Sequence, residues 1–240
     1  MKTFSGQIAV VTGASSGIGK ATALALAENG ATVCLVSRRL AAMQNVASEA
    51  APAGCCRCYV ADLAEQEDIE RLGGVLLRDC THIDILVHNA GTISLGDLAT
   101  QSLEDFDQQY RVNVRAPFAL TQRLLPKLKT SRGQIVFVNS TAALKPGLKS
   151  AQYAATKASL HALADSLRDE VNADGVRVLS VFVGRTATSM QEAVHRFEGK
   201  QYRPELLIQP QDVALVIVNA LVVARSAEIT DIKIRPMRKS

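Results

Sequence analysis

Tryptophan is absent from this 240-residue sequence, and the aromatic residues together make up only 4% of it. Single-stranded nucleic acids bind largely by stacking on aromatic side chains, and the net charge is a modest +4, so we expect no nucleic-acid partner. Apolar runs near the ~20 residues that a membrane span requires are also missing. The first residues, MKTFSGQIAVV, lack a signal-peptide cleavage pattern. We therefore expect a cytoplasmic protein with no membrane partner.

Cysteine is scarce as well, with five residues in the whole sequence. Three of them, Cys55, Cys56 and Cys58, lie close together. A zinc site would need a second ligand pair at a suitable spacing, and none is evident. We interpret residues 55–60 as a buried strand in which cysteine acts as a small apolar side chain, and we predict no metal site.

The sequence does contain a regular alternation of short apolar stretches and helical patterns. The apolar stretches are nearly continuous in Val, Ile and Leu, which is typical of strands covered on both faces. Strands separated by helices form right-handed βαβ units, so we expect one α/β domain, residues 1–240, built on a parallel sheet. The pattern predicts strands at 8–11, 32–36, 56–60, 83–87, 134–138, 176–183 and 229–235, helices at 20–29, 40–50, 66–78, 102–129, 211–224 and from 153 onward, and an irregular segment at 184–209.

Glycines cluster between the first predicted strand and the first helix, at Gly13, Gly17 and Gly19. Glycine permits a tight turn there and lets a pyrophosphate approach the amides at the helix N-terminus. The same stretch also fits G-x-S-x-G, the nucleophile elbow of α/β-hydrolases, with Ser15 as the nucleophile and the downstream His195 as a candidate base. A serine hydrolase is therefore an alternative to a dinucleotide-binding protein.

The second predicted strand ends in Ser37, Arg38 and Arg39 and not in a carboxylate. An acidic residue at this point would bind a ribose 2′-hydroxyl and select NAD, whereas arginine forms forked, charge-assisted hydrogen bonds with a 2′-phosphate. Asp62, at the end of the third strand, either bonds an adenine amino group or caps the helix that follows.

A serine, a tyrosine and a lysine follow the fifth predicted strand. Tyr153 and Lys157 lie four residues apart on a predicted helix and therefore share one of its faces. A free phenol ionises near pH ~10, and an ammonium beside it favours the phenolate, which would bring proton exchange by Tyr153 closer to neutral pH. Ser140 could then hold the substrate oxygen. The alternative is an ordinary ion-paired surface helix.

Taken together, these residues resemble the motifs of a known family. Thr12-Gly13-x3-Gly17-Ile18-Gly19, Asp62-Leu63, Asn89-Ala90-Gly91, Asn113, Ser140 and Tyr153-x3-Lys157 occur in the order typical of the short-chain dehydrogenase/reductase family, from Gln7 onward. The resemblance implies a Rossmann-like, doubly wound parallel sheet of seven strands in the order 3-2-1-4-5-6-7. It also implies a homodimer or homotetramer, formed through the helices that carry Asn113 and Tyr153.

The same resemblance implies a role for each site residue. Tyr153 would be the general acid/base, Ser140 would orient the substrate, and Lys157 would bind the nicotinamide ribose and lower the pKa of Tyr153. Asn113 would hold a helix backbone and a water of a proton relay. Arg38 is the first candidate for the 2′-phosphate, as in NADP-preferring members. The residues implied to bind NADP(H) are Gly13, Ser15, Ser16, Gly17, Ile18, Gly19, Ser37, Arg38, Arg39, Asp62, Leu63, Asn89, Ala90, Gly91, Tyr153, Lys157, Gly184, Thr186 and Thr188.

The sequence departs from the family pattern at two points. Val183-Gly184-Arg185 stands where members usually carry Pro-Gly, and the C-terminal residues lack the Val-Asp-Gly-Gly ending common among 3-oxoacyl-carrier-protein reductases. We expect an NADP(H)-dependent oxidoreductase that interconverts a carbonyl and a secondary alcohol. Residues 188–209 would form a mobile substrate lid with His195 as one of its loop residues, and residues 144–149 would complete the substrate site. The alternatives are a 3-oxoacyl-carrier-protein reductase, a serine hydrolase using Ser15, and an NADP-binding regulator without turnover.

Overall fold

Seven parallel strands form one sheet in the computed structural model, which describes residues 3–52 and 54–238. The strand order is β3-β2-β1-β4-β5-β6-β7, so the predicted doubly wound architecture is confirmed. Five positions of the predicted domain, residues 1, 2, 53, 239 and 240, fall outside the described residues. The strands are β1 (Ile8–Thr12), β2 (Thr32–Ser37), β3 (Cys56–Val60), β4 (Ile85–His88), β5 (Gln134–Ser140), β6 (Arg177–Val183) and β7 (Asp231–Ile234).

Helices cover both faces of this sheet. Successive strand residues point to opposite faces, so Val10 joins a core with Leu120 while Val11 joins a separate core with Leu26. Each fully buried Val or Leu contributes about 1.5–3 kcal/mol relative to an exposed one. The α-helices of the described residues are α1 (Gly17–Glu28), α2 (Leu40–Glu49), α3 (Gln66–Asp79), α4 (Leu103–Tyr110), α5 (Ala116–Ser131), α6 (Ala151–Val171), α7 (Ser189–Phe197) and α8 (Pro210–Leu221).

The cysteine-rich strand differs from the expectation in its burial. β3 lies at the edge of the sheet, paired only with β2 among the described strands, and its Cys56 and Cys58 are half-buried. An edge strand has a neighbouring strand on one side only, so its side chains are less covered than those of a central strand, and β3 is not fully buried as predicted.

The long helix predicted at 102–129 is interrupted. A π-helical turn, Arg111–Arg115, separates α4 from α5 and carries Asn113 at its centre. π-Turns insert an extra residue into an α-helix and are frequent at functional sites.

The segment predicted to be irregular contains a helix. Thr188 accepts a hydrogen bond from the Gln191 amide at 3.2 Å and so forms the N-cap of α7. Helix α7 occupies the first part of the predicted lid, and His195 belongs to this helix and not to a loop. Among the described residues, no helix has the length and apolar character needed to cross a membrane.

Candidate active site

A large cleft opens along the carboxyl ends of the parallel strands, the usual ligand position in such sheets. Its volume is about 1020 Å³. Of the predicted site residues, Gly17, Gly19 and Asn113 are not among the residues that line the cleft. The others line it: Gly13, Ser15, Ser16, Ile18, Ser37, Arg38, Arg39, Asp62, Leu63, Asn89, Ala90, Gly91, Ser140, Tyr153, Lys157, Gly184, Thr186 and Thr188.

The glycine turn between β1 and α1 is held by Asn89 from the end of β4. The Asn89 side-chain amide donates to the carbonyls of Thr12 at 3.0 Å and Gly13 at 3.2 Å. A Cβ at Gly19 would collide with this amide and with the Gly13 carbonyl, so only glycine fits there. Since the Ser16 side chain does not cap α1, the first amides of this helix remain available to an anion.

The end of β2 carries the polar side chains predicted to face an adenosine 2′-substituent. The Ser37 hydroxyl donates to Ser15 Oγ at 2.9 Å, and the Arg38 guanidinium lies 3.8 Å from the Asp62 carboxylate. Both arginines, Arg38 and Arg39, are exposed at the cleft wall. This end of the cleft therefore presents positive charge to solvent.

The nucleophile-elbow interpretation of Ser15 gains no support from the geometry. In the part of the chain that the structure describes, the side-chain partner of Ser15 is Ser37, and no histidine hydrogen-bonds to it. His195 is buried in α7, where its Nδ1 donates to the Gln191 carbonyl at 2.8 Å.

Asp62 does not cap α3, although that was one of its two predicted roles. Its Oδ1 accepts a hydrogen bond from the Ala64 amide at 3.0 Å, which makes a local Asx turn. The N-cap position of α3 is Glu65. Helix α3 thus begins about one turn further along the chain than it would if Asp62 were its N-cap. The second carboxylate oxygen of Asp62 faces Arg38.

Tyr153 and Lys157 lie side by side on α6 at the centre of the cleft. The Lys157 Nζ is 6.0 Å from the centroid of the Tyr153 ring and donates to the Val138 carbonyl at 3.1 Å. Lys157 is only 5% exposed, and this burial lowers its pKa to about 8. Burial also raises the pKa of Tyr153, and a hydrogen bond with Ser140 opposes part of that rise. In the chain without cofactor, desolvation of the phenolate dominates; the lowering of the Tyr153 pKa by Lys157 together with the positive ring of a bound cofactor stays a prediction.

Asn139, which sequence reasoning missed, aligns this group. Its Oδ1 accepts from the Ser140 amide at 2.8 Å, and its Nδ2 donates to the Lys157 carbonyl at 3.2 Å. The strand end that carries Ser140 and the helix that carries Lys157 are thus joined by one buried side chain. Its position directly before the predicted catalytic serine was the available signal.

Asn113 connects the π-turn to the loop that follows β4. Its Oδ1 accepts from the Thr92 amide at 2.8 Å, while its Nδ2 donates to the Thr92 carbonyl at 2.9 Å and to the Thr156 hydroxyl at 3.0 Å. We predicted that Asn113 binds a helix backbone, and this is wrong for its side chain. The backbone that the side chain binds belongs to the loop residue after Gly91. The water of the proton relay stays a prediction.

A second buried polar pair, Gln109 and Gln152, lies one helical turn before the pair of Asn113 and Thr156. The Gln109 amide donates to the Gln152 side-chain oxygen at 3.0 Å, parallel to the bond between Asn113 and Thr156. The spacing of four residues on both helices, 109 to 113 and 152 to 156, could have revealed these facing polar rows.

The lid, defined as residues 188–209, presents an apolar wall to the cleft. Met190, Val194 and Phe197 lie at helical spacing on one face of α7, and all three line the cleft. At the base of the lid, Thr188 approaches the glycine turn, since a Cβ at Gly17 would lie 3.0 Å from its methyl group. The lid is therefore folded against the predicted cofactor site and not detached from it.

One group of potential metal ligands is present among the described residues, and it lies outside the cleft. It consists of His161, Asp165 and Asp231. The Arg168 guanidinium donates to Asp165 at 2.7 Å and supplies a positive charge there. We assign no metal to this group.

Comparisons with known proteins agree with the geometry. A family profile described as short chain dehydrogenase matches residues 7–199. An uncharacterized oxidoreductase of Staphylococcus epidermidis is 32% identical over 233 residues, which cover 96% of this chain and 97% of that protein. A metagenomic short-chain oxidoreductase crystallised in complex with NADP is 30% identical, with a TM-score of 0.85 over 99% of this chain and 100% of that one. A 3-ketoacyl-(acyl-carrier-protein) reductase of Brucella melitensis, complexed with NADH, is 26% identical, with a TM-score of 0.86 over 96% and 97% of the two chains.

The profile match covers most of the chain, the full-length relative exceeds 30% identity, and the strand order is the one that the resemblance implies. The chain belongs to the short-chain dehydrogenase/reductase family and is an oxidoreductase of that family.

Proposed function

We propose that this oxidoreductase uses NADP(H) to interconvert a carbonyl compound and a secondary alcohol, with Tyr153 as the proton donor and acceptor. One observation carries the proposal: Ser140, Tyr153 and Lys157 line the same cleft whose other end carries Arg38 and Arg39. The proposal thus assigns proton transfer and the binding of a phosphorylated dinucleotide to one cavity.

The positive charge at the end of β2 favours NADP(H) over NAD(H). Two exposed arginines follow β2, and a 2′-phosphate bound there would receive charge-assisted hydrogen bonds that a 2′-hydroxyl cannot match. The similarity to a short-chain oxidoreductase in complex with NADP supports this choice. The similarity to a reductase in complex with NADH makes a direct comparison of the two cofactors necessary.

The cleft residues fit a dinucleotide along its whole length. The free amides at the start of α1 would hold the pyrophosphate, and Lys157 would contact the nicotinamide ribose. When bound, the reduced nicotinamide supplies the hydride. Tyr153 would give its phenolic proton to the carbonyl oxygen, and Ser140 would hold that oxygen by a hydrogen bond. Because burial raises the pKa of Tyr153, the phenol is the resting form and is ready to donate.

The substrate lies against an apolar wall in this proposal. The stripe of Met190, Val194 and Phe197 on α7 faces the cleft, so the group beside the carbonyl is apolar and of small to medium size. A 3-oxoacyl thioester belongs to the substrates to be tested, since one similar structure is a 3-ketoacyl reductase.

We also propose a homodimer or homotetramer formed through α4, α5 and α6. Leu103, Tyr110 and Phe118 are exposed large apolar side chains on α4 and α5. A patch of this kind is typical of a surface that another subunit covers. Light scattering coupled to gel filtration measures the assembly, and a monomer at micromolar concentration would contradict this proposal.

Thermal stabilisation by NADPH, compared with NADH, tests the cofactor choice, and a panel of carbonyls tests turnover. NADPH should raise the melting temperature at concentrations where NADH does not, because binding only to the folded state stabilises it by mass action. Arg38→Ala should weaken NADPH binding by about tenfold or more and leave NADH binding nearly unchanged. Tight NADPH binding without reduction of any carbonyl would instead identify a cofactor-binding regulator. Stabilisation by neither cofactor, together with labelling of Ser15 by a serine-directed probe, would favour the hydrolase.

A further inference from the structure

Arg185 lies two residues after β6, in the segment where the sequence departs from the family pattern, and the proposed mechanism gives it no part. It follows Gly184, whose amide donates to the Ile234 carbonyl of β7 at 2.8 Å, so its backbone starts from the rigid sheet. Its side chain lines the cleft between the predicted nicotinamide loop and the lid.

The Arg185 side chain holds the end of the lid helix. Its two terminal nitrogens donate to the two carboxylate oxygens of Glu198, at 2.9 and 2.6 Å. Glu198 is the C-cap residue of α7. The arginine and glutamate side chains are only 29% and 24% exposed, unlike most ion pairs of this protein, and Lys200 adds a third charge 3.0 Å from Glu198. A forked pair with little exposure fixes orientation as well as distance.

The Arg185 backbone holds the other end of the lid. Its carbonyl accepts a hydrogen bond from the Ile208 amide at 3.1 Å, next to the parallel bridge between Thr186 and Ile208. One residue therefore connects both the end of α7 and the C-terminal end of the lid to the tip of β6.

We propose that Arg185 is the positioning residue of the lid: its bond to Glu198 sets α7 at the distance from the strand tips at which Met190, Val194 and Phe197 form the substrate wall. The consequence for substrate choice rests on the proposed function, whereas the mechanical role of the bond does not. Loss of the bond loosens α7 and weakens contacts to the apolar part of the substrate, while the cofactor site stays formed.

Hydrogen exchange followed by mass spectrometry tests the mechanical role without any turnover. Arg185→Met and Glu198→Gln should each speed exchange of the Ser189–Phe197 amides by about tenfold, equal to about 1.4 kcal/mol. The double variant should exchange no faster than Glu198→Gln alone, because that substitution already removes the charge on which both the Arg185 pair and the more exposed Lys200 contact depend. Arg196→Met is the matched control. It removes an exposed pair on the same helix, 3.9 Å from Glu192, and should leave exchange unchanged.

Steady-state kinetics test the consequence for substrate. In Arg185→Met, KM for a bulky apolar ketone should rise about tenfold, with kcat within about twofold of the parent and the NADPH dissociation constant unchanged. Unchanged exchange of α7 in both single variants, or additive effects in the double variant, would overturn the proposal. A loss of NADPH affinity in Arg185→Met equal to the loss for ketone would also overturn it, since the residue would then act on the cofactor loop. If the parent reduces no carbonyl, the proposed function fails, and the exchange data still decide the role of Arg185.

Discussion

Replacing Lys157 by Met should raise the pKa at which Tyr153 loses its proton. The ammonium lies 6.0 Å from the phenol ring and is almost completely buried. At an effective dielectric constant of about 20, two unit charges at this separation interact by about 2.8 kcal/mol, which corresponds to about two pH units. The pKa of Tyr153 rises because removing the ammonium removes a positive charge that stabilises the phenolate.

The assay is the pH profile of alcohol oxidation with NADP+, in which Tyr153 acts as the base. With saturating NADP+, whose positive nicotinamide ring favours the phenolate, kcat/KM of the parent should rise with pH and level off. In Lys157→Met the rise should move about two pH units higher. Lys129→Met, which removes an exposed lysine paired with Asp174 at 2.7 Å, should leave the profile in place. A Lys157→Met profile with an unchanged midpoint would refute the electrostatic role, even if turnover fell.

Three further predictions concern the scaffold of the cleft. Gly19→Ala should abolish NADPH binding, because the new methyl group meets the Asn89 amide, whereas Gly74→Ala, where no atom lies within 4 Å, should bind normally in the same titration. Asn113→Leu should lower the free energy of unfolding by about 2–4 kcal/mol in urea titration, because buried partners on both sides lose their hydrogen bonds; a loss below about 0.5 kcal/mol would contradict this. Burial lowers the pKa of His88 to about 3. Below about pH 6.5 the unfolded chain therefore binds a proton at His88 that the folded chain does not bind. Lowering the pH to about 5 should reduce the free energy of unfolding by about 2 kcal/mol through this residue alone, and a His88→Gln variant should not show this loss.

The parallel sheet could be predicted because each strand is short, apolar and separated from the next by a helical pattern, whereas its strand order was implied by the family resemblance. β1 and β5 carry Val and Ile on both faces, and only a doubly covered sheet buries both. The cleft followed from this order, since residues at the carboxyl ends of parallel strands meet at one edge. Gly13, Ser140 and Tyr153 therefore line one cavity although they are far apart in the chain.

The remaining features depend on contacts between distant residues. Hydrogen bonds from Asn113 to Thr92 and Thr156 stabilise the π-turn, and no local sequence pattern at 111–115 predicts it. The end of α7 is fixed by the pair of Arg185 and Glu198, which only the folded chain brings together. These two residues are 13 positions apart in the sequence, and no sequence pattern connects them.

The tyrosine pKa could not be predicted because it balances two opposing effects. Sequence spacing reveals the neighbouring ammonium of Lys157 but not the burial of Tyr153. Burial disfavours the charged phenolate and outweighs the favourable hydrogen bond from Ser140.

The most direct test of proton transfer by Tyr153 is carbonyl reduction by Tyr153→Phe, measured beside its NADPH-induced thermal shift. The substitution removes one hydroxyl from the cleft and keeps the ring. We expect the thermal shift caused by NADPH to stay unchanged and kcat to fall by about 10²-fold or more, the usual contribution of a general acid. Reduction at the parent rate, with NADPH still bound, would contradict it.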